Sequence, residues 1–168
     1  MDFLAIFTAQ YLIFIIIILG IAYFLHRPNK EKKEIIVFSL ITILATYIIF
    51  RICAALYFNP RPLINNQFLT LIPHKTQNGF PSQHTLISGI VAMIVWNFNK
   101  KIGTFLFFLA TLVGLARVYV GVHHYIDIFT SLIISAFVVL TIKIFLWNKI
   151  KSHRHITNFF NKLKLFKS

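Results

Sequence analysis

Acidic side chains are almost missing from this chain. Asp2, Glu31, Glu34 and Asp127 are the whole supply, 4 against 17 Lys and Arg. Two-metal hydrolases and retaining glycosidases need several carboxylates converging on one point. They are excluded here unless Asp2, Glu31 or Glu34 folds beside Asp127. Cysteine is scarcer still. Cys53 stands alone, which removes an internal disulfide and any Cys-based zinc site. It lies in an apolar stretch and reads as a small core residue. No internal repeat and no low-complexity linker breaks the chain, so it reads as one compact unit.

Apolar side chains take the place of the missing ones. The 168 residues are 58% hydrophobic, with a mean hydropathy of +0.77. Soluble domains hold roughly 45–50%. The excess falls in long runs, the mark of membrane-spanning segments. The net charge of +13 suits nucleic acid or an anionic membrane surface. The apolar runs favour the membrane and speak against a nucleic-acid partner.

Five segments carry those runs, at about 3–25, 35–58, 82–98, 102–119 and 126–147. The first is long enough to cross about 30 Å of hydrocarbon. It lacks the basic start and the small-residue cleavage pattern of a signal peptide, so a retained span is expected. A polar loop, HRPNKEKKE, is predicted over 26–34 and a Pro- and Asn-rich loop over about 59–81. The fold class expected is an all-α integral membrane bundle of about five transmembrane helices. Residues 1–147 form the membrane domain and 148–168 a basic cytoplasmic tail. Within that tail ITNFFNKLKLF alternates apolar and basic residues. It reads either as a helix lying on anionic lipids or as a basic end that fixes topology.

Positive charge sets the orientation. With the N-terminus outside, the cytoplasmic parts hold Arg27, Lys30, Lys32, Lys33, Lys100, Lys101, Lys149, Lys151, Arg154, Lys162, Lys164 and Lys167. The outer parts hold Arg61, Lys75 and Arg117. Short cytoplasmic loops collect Lys and Arg. The 59–84 loop and the segment ARVYVGVHHYID at 116–127 therefore share the outer face.

That face groups Arg61 in NPRP, Ser82 and His84 in FPSQH, and Arg117, His123, His124 and Asp127 in ARVYVGVHHYID. Charges at membrane depth are costly and mark function. Two guanidiniums, a hydroxyl and a helix N-terminus suit a phosphate. A His near an Asp can have its ring held by the carboxylate, leaving the other nitrogen as nucleophile. A second His could protonate a leaving oxygen. Together these parts describe phosphoryl transfer through a phosphohistidine. Both His123 and His124 reach Asp127 at helical spacing, and spacing alone leaves that choice open. His84, His123, His124 and Asp127 could also ligate zinc, but two neighbouring Arg would repel a dication. A transporter using Arg51, His84, His123 and Asp127 as a polar chain is a further reading. The placement of these residues at helix ends argues against it.

The three motifs resemble those of the type 2 phosphatidic acid phosphatases: Lys-x6-Arg-Pro, Pro-Ser-Gly-His and Ser-Arg-x5-His-x3-Asp. Here they read Arg61-Pro62, Pro81-Ser82-Gln83-His84 and Ala116-Arg117-x5-His123-x3-Asp127. YFNPRPLI, LTLIPHKTQNGFPSQHT and GLARVYVGVHHYIDI are also similar to the bacitracin-resistance type of undecaprenyl pyrophosphate phosphatase. The resemblance implies His123 as nucleophile, Asp127 as its orienting partner and His84 as general acid. It implies Arg61, Ser82, Gln83 and Arg117 as phosphate holders, with no metal and no cofactor. The implied substrate is a polyprenyl diphosphate in the bacterial plasma membrane. Phosphatidylglycerol phosphate, phosphatidic acid and a lipid A phosphate are the alternatives. Three positions depart from the pattern. Ala54 stands where the Lys belongs, Gln83 where Gly does and Ala116 where Ser does. Arg51, one turn before Ala54, is the candidate replacement cation.

Overall fold

The computed structural model describes residues 2–62 and 78–152. The tail beyond Ser152, with ITNFFNKLKLF, and the loop residues 63–77, with Lys75, lie outside the described residues. Five main helices follow one another: α1 Asp2–Leu25, α2 Asn29–Leu56, α3 Gln83–Phe98, α4 Lys100–Tyr119 and α5 Tyr125–Thr141. After α5 the chain continues through a π-helical stretch, Ile142–Trp147, into a short α6, Asn148–Ser152. The helix therefore runs on across positions 147 and 148. No strand occurs among the described residues; Pro60 and Asn78 form one isolated antiparallel bridge.

The predicted 26–34 loop is mostly helix. Residues 26–28 alone connect α1 to α2, because NKEKKE consists largely of strong helix formers. Pro28 precedes the first turn at φ −64°, a value its ring already holds. Glu31 then sits at the positive end of the helix and pairs with Arg27 at 3.2 Å.

Among the described residues four stretches are long and apolar enough to cross a membrane: Asp2–Leu25, Asn29–Leu56, Lys100–Tyr119 and Tyr125–Ile150. Their outward sides expose large apolar residues such as Phe14, Ile18, Leu44, Phe108, Ile133 and Phe137. Such surface is stable against lipid and not against water. The chain is a multi-pass membrane protein. Helix α3 differs from the rest. Its 16 residues extend only about 24 Å, and it packs against α1, α2, α4 and α5. It is the central rod of the bundle, sheltered by its neighbours.

Small residues let the helices close on this rod. A Cβ at Gly103 would strike the backbone of Trp96 across the α3–α4 turn, and one at Gly89 would strike Ser135 of α5. Close backbone approach through glycine is a standard route to helix packing in lipid, where dispersion replaces the hydrophobic drive. One end of the bundle is closed by aromatics: Phe38 meets the Phe98 ring at 5.8 Å and the Trp147 ring at 5.2 Å. Lys143 and Lys100 lie over the Trp96 ring there, at 4.9 Å and 5.7 Å. The polar motifs gather at the other end.

Candidate active site

The helix ends create the site. Helix α4 stops at Tyr119, and Gly121 takes φ 79° just beyond it. That left-handed turn lets Val122 N–H return to the Arg117 carbonyl at 3.2 Å. The chain reverses and delivers His123 and His124 directly before α5. His124 N–H donates to Asp127 Oδ2 at 2.8 Å, so the carboxylate caps the helix from which it projects.

His123 is 3% exposed and Asp127 is 0% exposed. His123 Nδ1 lies 3.2 Å from Asp127 Oδ2. An ionised carboxylate only accepts, so Nδ1 carries the ring proton and Nε2 keeps its lone pair. Burial pushes the His123 ring down to about 4, and the charges of Arg117 and Arg61 act in the same direction against the Asp127 contact. The imidazole is therefore neutral at physiological pH, which a nucleophilic nitrogen requires. His124 is committed differently. Its Nε2 bonds the Pro60 carbonyl at 3.1 Å.

Two guanidiniums flank this pair. Arg117 is 2% exposed and donates from Nη1 to the Ala9 carbonyl of α1 at 3.2 Å. Arg61 reaches the Val122 carbonyl from Nη1 at 3.5 Å. Its Nε is buried with no hydrogen-bond partner among the described residues. Burial lowers the Arg61 guanidinium from its ordinary value while the Asp127 charge raises it.

Ser82 sits at the N-cap of α3, fully buried. Its N–H donates to the Asp127 carbonyl at 3.3 Å, which seats the start of α3 on the start of α5. Its Oγ accepts from Thr85 Oγ1 at 3.1 Å, and its carbonyl accepts from Ser131 Oγ at 3.0 Å. His84, partly exposed, follows in the first turn of the same helix. Gln83 is exposed. It borders an apolar crevice of about 230 Å³ between α2 and α3, lined also by Tyr47, Phe50, Leu86, Ile87 and Ile90.

Arg51 is not drawn into this cluster. It is exposed on α2 and makes no hydrogen bond or ion pair among the described residues. The residues overlooked in the sequence are two asparagines. Asn59 Nδ2 donates to Asp127 Oδ1 at 2.8 Å. Asn78 Nδ2 donates to the carbonyls of Ala54 and Tyr57, both at 3.0 Å. Asn78 Oδ1 accepts from the N–H groups of Asn59 and Phe80, again both at 3.0 Å. An Asn in a loop that already holds Pro and Asn carries no periodic signal, so nothing marked them.

The other carboxylates stay away from Asp127. Asp2 accepts from Tyr119 Oη at 3.1 Å, and Glu31 faces Arg27 at the far end. Among the described residues no three His, Cys, Asp or Glu side chains converge to hold a metal ion.

An all-helical, multi-pass membrane protein with a buried His–Asp pair between two arginines is thus defined by fold and site. The chain belongs to the PAP2 superfamily, which its residues 35–151 match. It is 30% identical over 135 residues to the undecaprenyl-diphosphatase BcrC of Bacillus subtilis strain 168, covering 80% of this chain and 69% of that protein. It is 29% identical over 123 residues to the bacitracin transport permease protein BcrC of Bacillus licheniformis, covering 73% of this chain and 60% of that one. Among solved structures it resembles LpxE of Aquifex aeolicus, with a TM-score of 0.58 and 26% identity over 81% of this chain and 78% of that one. The superfamily supports a lipid phosphatase.

Proposed function

We propose that the protein hydrolyses undecaprenyl diphosphate to undecaprenyl phosphate and inorganic phosphate, with His123 as the nucleophile. The observation that carries this reading is the His123 Nδ1–Asp127 Oδ2 contact at 3.2 Å, which leaves Nε2 as the ring's basic nitrogen. In the first step Nε2 bonds the terminal phosphorus and the bridging P–O bond breaks. His84 gives its proton to the departing undecaprenyl phosphate oxygen. In the second step His84 takes a proton from water, whose oxygen bonds phosphorus as the N–P bond breaks. Inorganic phosphate leaves and both histidines return to their starting states.

Arg61 and Arg117 offset the charge on the transferred group, and Ser82 and Gln83 complete its surroundings. A buried guanidinium N–H without a partner, such as Arg61 Nε, calls for an acceptor, and a phosphate oxygen is a suitable one. The apolar crevice beside Gln83 supports a lipid rather than a soluble phosphate ester.

The diphosphate of a polyprenol is preferred because of the similarity to the Bacillus subtilis undecaprenyl-diphosphatase. The site faces the outside of the bacterial plasma membrane, with the N-terminus out and residues 148–168 as a basic cytoplasmic tail. The support is the concentration of Lys30, Lys32, Lys33, Lys100, Lys101 and Lys149 at the opposite ends of the helices. An outward site suits a carrier lipid released there by cell-wall assembly.

The test is release of phosphate by purified protein in detergent with EDTA present. Undecaprenyl diphosphate is compared with phosphatidylglycerol phosphate, phosphatidic acid and a lipid A phosphate. Fastest turnover of the polyprenyl substrate is expected. Failure on every lipid phosphate, or equal rates from His123→Ala, would overturn the reading. Faster turnover of another lipid would move the substrate and keep the chemistry.

A further inference from the structure

We infer that Asn59, held in register by Asn78, is the positioning residue for the His123–Asp127 pair. The inference rests on the phosphatase reading of the site.

The geometry is continuous from helix end to nucleophile. Asn78 uses its whole side-chain amide. Nδ2 holds the Ala54 and Tyr57 carbonyls that α2 leaves open at its C-terminus, and Oδ1 holds the N–H groups of Asn59 and Phe80, all at 3.0 Å. Two donors and a carbonyl accepting twice are everything an Asn side chain offers. Gly79 N–H adds a bond to the Asn59 carbonyl at 2.8 Å. The Asn59 backbone is thus fixed on both sides, and its Nδ2 meets Asp127 Oδ1 at 2.8 Å.

Asp127 needs such a neighbour. Its Oδ2 already serves His123 Nδ1 and His124 N–H. Without Asn59 the Oδ1 atom would have no donor among the described residues, and the carboxylate could rotate away from His123. Ala54 itself contributes through its carbonyl, not through a side chain, and Arg51 stands apart on α2. The anchoring that an amide provides is neutral, so it orients the carboxylate without adding a third cation beside Arg61 and Arg117.

The charged groups facing the pair are Arg61 from the α2–α3 loop and Arg117 from α4; His84 stands in the first turn of α3. None of these changes in the variants below. Removing the Asn59 amide takes one donor from the carboxylate, so a proton binds the His123–Asp127 pair more readily. The acid limb of kcat/KM therefore moves to higher pH. An isosteric carboxyl at 59 has a sharper effect. While protonated it can donate to Asp127 as the amide does. Once ionised it sets two carboxylates against each other, so activity falls as pH rises.

The experiment measures kcat and kcat/KM for lipid phosphate hydrolysis in detergent between about pH 4 and 9, using full-length wild type, Asn59→Ala, Asn59→Asp and His123→Ala. Asn59→Ala is expected to lose about ten- to a hundredfold in kcat, the scale of a displaced reacting group. KM should stay within about twofold and the acid limb should shift upward. Asn59→Asp is expected to be most active at the acid end and to lose activity where wild type is level. A residue that merely stabilised the fold would lower the active fraction and leave both profiles unchanged in shape. Wild-type profiles in both variants, with His123→Ala inactive, would overturn the role of Asn59 and leave the phosphatase reading intact. Inactive wild type on every lipid phosphate would instead overturn that reading, and this inference with it.

Discussion

His123 Nδ1 and Asp127 Oδ2 lie 3.2 Å apart in a site where both side chains are buried. They are four residues apart, His123 in the segment just before α5 and Asp127 in its first turn, so the pair is built into a single local segment. The Asp carbonyl and carboxylate then receive bonds from Ser82, Asn59 and His124. A local pair thereby becomes the point where α3, α5 and the end of the α2 loop meet.

Replacing the two adjacent histidines separates their roles. His123→Ala should reduce phosphate release by at least about 10³-fold, since no other group takes over bond formation to phosphorus. His124→Ala removes one hydrogen bond to the Pro60 carbonyl, about 1 kcal/mol, and should keep activity within about tenfold. Steady-state assays on both variants decide this. Quenching in alkaline detergent, where the N–P bond survives, should trap labelled phosphate on wild type and not on His123→Ala.

Asp127→Asn is expected to cost about 10⁴-fold in kcat, as loss of the orienting carboxylate does in a Ser-His-Asp triad. The neutral amide no longer demands a proton on Nδ1, so the lone pair of Nε2 is no longer secured. KM should change far less than kcat, which a full rate-versus-substrate curve reads directly.

The pH profile carries a signed prediction. The folded His123 titrates near 4 and an unperturbed His near 6.5. The nucleophile is neutral above the lower value, so the limb of kcat/KM assigned to it should rise through about pH 4 and not through about 6.5. Between these values the unfolded chain binds more protons than the folded one. The contribution of His123 to stability is therefore complete above about 6.5 and declines as pH falls toward the folded value. An acid limb at about 6.5 in wild type would contradict the buried, neutral imidazole.

Arg51 and Arg117 should behave as opposites. Arg51→Gln is expected to leave activity within about twofold, because an exposed guanidinium there only reaches toward the lipid headgroups. Arg117→Lys should cost at least about tenfold, since a planar donor set is replaced by a point charge. Comparing kcat/KM for the two variants in one preparation checks it.

Gly103→Ala should destabilise the bundle without touching the chemistry. The added methyl meets the Trp96 backbone, and overpacking of this kind costs about 1–3 kcal/mol. Thermal unfolding in detergent should show a lower transition, with kcat of the folded fraction unchanged.

The chain's apolar runs and Lys/Arg distribution specify a helical membrane protein, because helix length and hydrocarbon thickness are linear measures that a sequence carries directly. The Arg117–His123–Asp127 spacing is equally legible, because its His–Asp pair is only four residues apart at the entry to α5. Other features depend on segments far apart in the chain meeting in space. Only the fold sets His124 on Pro60, leaves Arg51 outside the cluster and brings Asn59 to Asp127, 68 residues away. It also makes short α3 the sheltered centre, and it turns most of the predicted 26–34 loop into helix once Pro28 starts it. Local periodicity encodes which helices form. Which donor satisfies a buried carboxylate is decided by where the helix ends come together, because a hydrogen bond forms over about 3 Å whatever the separation along the chain.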